Sequence, residues 1–496
     1  MSFSHLLPAS LPKLSARLSS PSWVLLLLGS ILGVVTAYLL VSGQWQLAFM
    51  VMLSLPGAVL IFKYPRMAII IWLLLTPFLV ATMTASGRTV YWLIHRALPP
   101  LTIGVLLISS LIRIRKFPRL GPAEIAMLGY LVATLFSIAL VGKNARTPYD
   151  FYDRVFSPMC LYLIIRWTTP DEKEIKQLVP IFLFIGVTQA IIGVLSWVGP
   201  QFLPRHWVTE AGERTTGSLI SYSVYTTTMI FAGLFLLHAG LQRKPGLLRN
   251  VYFGLFFVSL FCVFISFSRG SWLGLIAVLL GLIYLYPKFM IRWVAIAVPV
   301  IILSVAVLFV DYFYNPSERL NESQPALSRL PIALASMRMF EQKPLFGWGY
   351  GNFNYYDRQF QGRVLDLVNA RKDHSSHNVY LRTLAEQGLF GFILFLAPVG
   401  YWLFQSIKAR HKIPTAGFLN RDLVFLLWLV ILFHIIVNNF SDMRVEFGLG
   451  MWWLTLALIA NQVTPYITNA GSEKTLVPVP SRQGSLVDGL HEQKSG

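Results

Sequence analysis

"VYFGLFFVSLFCVFISFSRGSWLGLIAVLLGLIYLY", residues 251–286, is apolar almost throughout and carries one charge, Arg269, at its middle. As a single helix at ~1.5 Å per residue it would run roughly 54 Å, well beyond the ~30 Å hydrocarbon core, and would bury an arginine at its centre. Two short helices turning at "SRG" remove both conflicts. The choice also sets the parity of everything downstream. A single span here would put the polar segment 312–387 in the cytoplasm and the basic loop 407–421 outside.

The rest of the chain agrees with a membrane reading. Hydrophobic residues make up 55% of the 496 and charged residues only 13%, a balance that excludes an ordinary soluble domain. A helical crossing needs about 20 apolar residues, somewhat fewer when snorkelling ends help. On that rule fourteen spans are expected, near 23–41, 45–62, 67–84, 97–112, 121–141, 155–166, 177–198, 219–240, 251–267, 271–286, 293–310, 388–406, 422–438 and 447–463. The sixth is short and calls for tilting or lengthening. The first follows a mildly basic stretch and reads as a retained anchor rather than a cleaved signal.

The net charge of +19 sits mostly in loops, where it sets orientation rather than pointing to nucleic acid. With the N-terminus inside, the cytoplasmic segments hold 23 Lys and Arg and the short loops opposite hold 9. Both termini are therefore expected in the cytoplasm of a multi-pass inner-membrane protein. The domain reading follows: spans 1–11 over 1–311, an outer (periplasmic) loop domain over 312–387, spans 12–14 over 388–463, and a polar, disordered tail over 464–496. Within the outer domain, "LSRLPIALASMRMF" (327–340) spaces Leu327, Leu330, Leu334, Met337 and Phe340 on one face of a helix lying on the membrane or against the bundle. "FGWGYGNF" (346–353) follows as a glycine-rich turn. Cys160 and Cys262 stand in separate apolar runs without metal or redox spacing, so packing is their expected role. The acidic run "DEKE" (171–174) reads as a solvated cytoplasmic loop.

Three polar features fall on the expected outer side: "GERTTG" (212–217), "SRG" (268–270) and "HNVYL" (377–381). Charge within a membrane protein usually lines an aqueous cavity or marks function. Arg214 and Arg269 each stand at a helix end. Their planar guanidinium forks match phosphate oxygens, so together they could hold a diphosphate without metal. The plainer alternative is that they snorkel to lipid headgroups. His377 and Asn378 precede a helical pattern in which Arg382 and Glu386 stand four apart. A cap from Ser375 or Ser376 would place His377 in the first turn, where the macrodipole favours a neutral imidazole able to accept a proton from a hydroxyl. An exposed rim histidine is the plain alternative, and His374 is a second choice as base. No D-x-D pair, phosphate-binding loop or H-x-x-x-H spacing is present, which disfavours metal-dependent chemistry on a soluble nucleotide sugar.

At "ERTTGSL", "FSRGSWLGL", "PLFGWGYGNF" and "HNVYLRTLAEQGLFGF" the sequence resembles the bacterial O-antigen ligase and O-antigen polymerase superfamily. The likeness covers roughly 205–400; the flanking helices agree in hydropathy only. Taken with the fourteen spans expected from hydropathy, it implies an all-α polytopic fold with one long periplasmic loop carrying short helices, GT-C-like. It also implies a metal-independent, inverting glycosyltransferase without cofactor. Its donor would be a glycan on undecaprenyl diphosphate and its acceptor a sugar hydroxyl on a lipid-linked chain or on lipid A core. By the resemblance, Arg214 and Arg269 hold the donor diphosphate and His377 activates the acceptor; Arg329 and Arg338 are further candidates for glycan or phosphate contact. The helix number and enlarged outer loop lean towards a polymerase over a ligase, with protein O-oligosaccharyltransferase a more distant reading. From another class, a small-anion transporter would place its ionisable groups near the midplane of repeated halves rather than at one face. A structural scaffold would leave the arginines and histidine on one side unexplained.

Overall fold

The computed structural model describes residues 21–82, 84–115, 120–208, 215–292, 329–361, 376–441 and 445–468, and these residues are helical with short connections. Each expected span falls on a helix except 293–310, which lies outside the described residues. In chain order the helices are α1 (Pro21–Val41), α2 (Trp45–Lys63), α3 (Met67–Leu79), α4 (Gly87–Leu111), α5 (Pro122–Val141), α6 (Ser157–Thr168) and α7 (Leu178–Val198). Then follow α8 (Tyr222–Leu241), α9 (Leu247–Phe264), α10 (Arg269–Leu285), α11 (Arg329–Gln342), α12 (Phe353–Gln361), α13 (Val379–Ala409), α14 (Arg421–Asn438) and α15 (Glu446–Thr468). Among the described residues seven helices are long and apolar enough to cross a membrane, or eight if the pair bent by 120° between α2 and α3 is one span. The stretch 251–286 does break into α9 and α10. The latter is a shorter apolar helix of 17 residues.

The packing follows from which helices lack a polar face. Residues 223–240 of α8 are buried on every side, so α8 is the central post, packed against α7, α9 and α14. Gly233 and Gly240 let α9 approach closely: a Cβ at either would stand 2.9 Å from Ser259 Cβ or 2.8 Å from Phe253 Cε1. Both cysteines are buried in this core, as their apolar context predicts.

Hydrogen bonds between helix ends sort the bundle into two poles. At one, Arg66 pairs with Glu174, Asn461 Nδ2 donates to the Pro170 carbonyl at 3.0 Å, and Tyr286 donates to Asp422 at 3.1 Å. At the other, Asn378 Nδ2 donates to the Asn439 carbonyl at 3.3 Å, Thr226 and Ser271 share a 2.9 Å hydroxyl contact, and Asn352 accepts from Lys143 N at 3.1 Å. The second pole carries the candidate site.

One local expectation is corrected and two are given their detail. The run 171–174 is not a loop: Asp171 and Glu174 form a reciprocal capping box that starts a short helix, Glu172–Lys176. The span expected at 155–166 is lengthened upstream, as its shortness called for, by Thr147–Phe151 and a π turn, Tyr152–Phe156. On α11 the buried face is Ile332, Ala335 and Met339, which pack against Phe353, Phe360 and Ala385. Leu330 and Met337, on the face expected on the membrane or against the bundle, are 48% and 50% exposed in the protein itself, and Leu327 lies outside the described residues. A small second core therefore selected the neighbouring stripe.

Candidate active site

Two sequence motifs meet backbone to backbone at this pole. Within α13, Gly388 has φ 63° and ψ −166°, which breaks the helix within its third turn. A break strands two carbonyls and two amides that the helix would have paired, an expensive loss at membrane depth. The glycine-rich turn supplies all four partners. Trp348 N and Gly349 N donate to the carbonyls of Ala385 (3.0 Å) and Glu386 (2.7 Å), while Leu389 N and Phe390 N donate to the carbonyls of Pro344 (2.7 Å) and Leu345 (3.1 Å). This approach requires bare backbone: a Cβ on Gly347 would stand 2.5 Å from Gln387 N, and one on Gly388 2.4 Å from Leu345 C.

Beside the break lies a pocket of about 80 Å³ between α5, the approach to α6, the glycine-rich turn, α13 and α15. Its polar wall combines Asp150, Arg154, Tyr350, Arg382, Glu386 and Gln387. Arg382 Nε donates to Glu386 Oε1 at 2.8 Å with both side chains about one-twentieth exposed, 6% and 5%, and the same carboxylate accepts from Phe353 N at 3.2 Å. The Arg382 guanidinium also lies over the Phe353 ring, 5.4 Å from its centroid. Burial, reinforced by the Glu386 carboxylate, pushes the Tyr350 hydroxyl above its usual range. Replacing Glu386 by alanine takes the carboxylate from a buried guanidinium and is expected to cost about 3–5 kcal/mol in thermal unfolding of the solubilised protein. Glu386→Gln, which keeps the acceptor oxygen, should cost less; equal losses would show that charge pairing is immaterial there.

The sequence-derived residues are distributed unequally. Arg269 opens α10, capped by Ser268, whose side chain accepts from Ser271 N. Trp272 Nε1 closes the turn on the Phe264 carbonyl at 2.8 Å, and the Arg269 side chain is exposed. Gly270 seats this helix start against the chain leaving α14, where a Cβ would stand 2.7 Å from Phe440 Cβ. Asn378 bonds Asn439, the residue just before Phe440, at that same end of α14. The Arg269 turn and the His377–Asn378 segment therefore meet on consecutive residues after α14. Asn378, not Ser375 or Ser376, caps α13, its Oδ1 accepting from Tyr380 N (3.0 Å) and Leu381 N (2.9 Å). His377 consequently precedes the cap instead of lying in the first turn, and adopts φ 46°. The Oδ1 reach and extended backbone of Asn378 suit it to the cap, while the buried Ser376 hydroxyl donates to the Asn378 carbonyl at 3.3 Å.

Arg338 is exposed and donates to the Phe360 and Gln361 carbonyls at 2.7 and 3.4 Å, ending α12, so much of its hydrogen-bonding capacity is structural. Arg329 is half-buried at the start of α11. Arg214 and His374 lie outside the described residues. Sequence reading missed Arg154 and Asp150 altogether and saw Arg382 and Glu386 only as a helix pair. The available signal was the short sixth span: lengthening it through a π turn, a feature common at functional sites, carries Asp150 and Arg154 into the pocket.

Fold and site together define an all-helical membrane protein with a charged pocket at one pole of its bundle. Residues 254–396 match the family model described as O-antigen ligase. The chain is also similar, at 23% identity over 322 residues, to the teichuronic acid biosynthesis protein TuaE of Bacillus subtilis. That match covers 60% of this chain and 62% of the relative, so the chain spans less than two thirds of the relative's length. Both findings support the likeness to the O-antigen ligase and polymerase superfamily. The family match includes Arg269, His377, Asn378 and the α13 break, whereas Arg214, Asp150 and Arg154 lie outside it.

Proposed function

We propose that the chain is a metal-independent, inverting glycosyltransferase that polymerises undecaprenyl-diphosphate-linked oligosaccharide repeat units on the periplasmic face of the bacterial inner membrane. The observation that carries this reading is the meeting of the Arg269 turn and the His377–Asn378 segment on Asn439 and Phe440. An exposed guanidinium at the positive start of a helix suits a phosphate, with Arg214 as its expected companion. In the reaction the bond from the anomeric carbon to the diphosphate oxygen breaks as the acceptor hydroxyl attacks from the opposite face. Arg269 meets the charge growing on the leaving diphosphate, and His377 takes the hydroxyl proton. The excess of basic residues in the loops of the other pole supports a periplasmic site, about fourteen crossings and cytoplasmic termini.

A relative named for teichuronic acid biosynthesis favours chain synthesis. The matched family's description favours a second reading, ligation of the glycan to lipid A core. Purified protein in liposomes with lipid-linked repeat units and lipid A core distinguishes them. Longer lipid-linked chains, undiminished by a chelator, are expected; product on the core supports ligation. Absence of both products, or loss of activity on chelation, overturns the proposed chemistry.

A further inference from the structure

The pocket beneath the α13 break is not built like the diphosphate site, and the inference it carries rests on the transferase reading above. Its guanidinium groups are already matched by carboxylates: Arg382 by Glu386 at 2.8 Å, and Arg154 by Asp150 at 3.5 Å and Glu446 at 3.9 Å. A diphosphate entering here would meet carboxylates as well as arginines, so the balance of charge suits a neutral ligand.

The same wall asks for a hydrogen-bond donor. Gln387 is 6% exposed; its Nε2 donates to Thr134 Oγ1 at 2.9 Å, while its Oε1 is buried without a hydrogen bond of ordinary geometry among the described residues, the Tyr130 hydroxyl being the polar group that interacts with the same amide. A buried amide oxygen of this kind is costly unless a ligand or water satisfies it. Gly391 leaves it room, since a Cβ there would stand 2.8 Å from Oε1. Facing these polar groups are the apolar Trp453 and Phe395, which suit the C–H face of a sugar ring. Val379, also in the wall, is separated from His377 by Asn378 alone.

We propose that this pocket binds a neutral pyranose ring of the glycan, a hydroxyl or N-acetyl N–H of which donates to Gln387 Oε1, apart from the diphosphate held at Arg269. The ring could belong to the donor or to the acceptor glycan; the chemistry recognised is the same.

Titration calorimetry on the full-length solubilised protein tests this. The probes are undecaprenyl diphosphate and the oligosaccharide freed by mild acid from the host's lipid-linked repeat unit. Gln387→Met, which keeps length but removes both amide atoms, is expected to weaken oligosaccharide binding about tenfold and leave undecaprenyl diphosphate binding within twofold. Arg269→Ala is expected to do the reverse. Thr134→Val, which removes the partner of Nε2 and the hydroxyl's own bond to the Tyr130 carbonyl but leaves Oε1 in place, should bind the oligosaccharide within twofold of the parent. Trimming the non-reducing sugar abolishes binding if the acceptor end is seated and spares it if the donor end is. The pocket assignment is overturned if the parent protein does not bind the oligosaccharide, if Gln387→Met binds it equally well, or if Thr134→Val is as damaging as Gln387→Met. Undecaprenyl diphosphate binding that ignores Arg269→Ala counts instead against the transferase reading, and the two failures are thereby separable.

Discussion

Replacing His377 by asparagine is expected to reduce glycan transfer by about 10²–10⁴-fold, the usual contribution of a positioned general base. Asparagine is the informative substitution because His377 holds a left-handed backbone, φ 46°, which asparagine tolerates and alanine resists. The turn before the α13 cap is then kept while the proton acceptor is removed. Arg269→Ala should cost a comparable 10²–10³-fold through lost stabilisation of the leaving diphosphate. Arg269→Lys should stay impaired if the planar fork matters, since an ammonium cannot make the paired contacts. Transfer rates on lipid-linked repeat units and polysaccharide chain lengths in cells, read against protein abundance in the membrane, provide the measurement. Normal chain lengths in both the His377 and Arg269 variants would remove the chemical assignment.

Gly388→Ala should be the most damaging single methyl in the molecule. Its φ 63° and ψ −166° fall in a region occupied essentially by glycine alone, costing about 1–3 kcal/mol for any other residue. The added Cβ would further stand 2.4 Å from the carbonyl carbon and oxygen of Leu345, backbone atoms held by the four hydrogen bonds across the break. Relief requires the glycine-rich turn to withdraw, which unseats Tyr350 from Arg382, Glu386 and Gln387. A loss of about 3 kcal/mol or more in stability and loss of transfer are expected together. Gly400→Ala is the matched control on the same helix: nothing lies within 4 Å of its Cβ. There the substitution should be neutral or stabilising by up to about 1 kcal/mol. Indistinguishable melting temperatures for the two variants would mean that the break does not depend on glycine.

This pairing shows how far the motifs could be read without coordinates. "FGWGYGNF" and "EQGLFGF" each advertise glycine, but a string of residues does not disclose that Gly347 and Gly388 serve one contact between two backbones. The same holds for the charges. Arg382 and Glu386 are visible as an i,i+4 pair, a pattern usually found on a solvated surface and worth a few tenths of a kcal/mol. Burial changes its meaning, because here the pair forms the wall of a pocket.

Composition and hydropathy alone pointed to a helical membrane protein, placed its long apolar helices, and required 251–286 to turn at Arg269. These follow from local physics: a helix satisfies its own backbone, and the bilayer limits its length. Only the tertiary structure decided that Asn378 caps α13, which stripe of α11 is buried, and that Tyr130, Arg154, Tyr350, Arg382 and Trp453 share one pocket. Those outcomes depend on side chains from distant helices competing for the same space and the same hydrogen-bond partners, and apolar periodicity carries no record of which helix will be the neighbour.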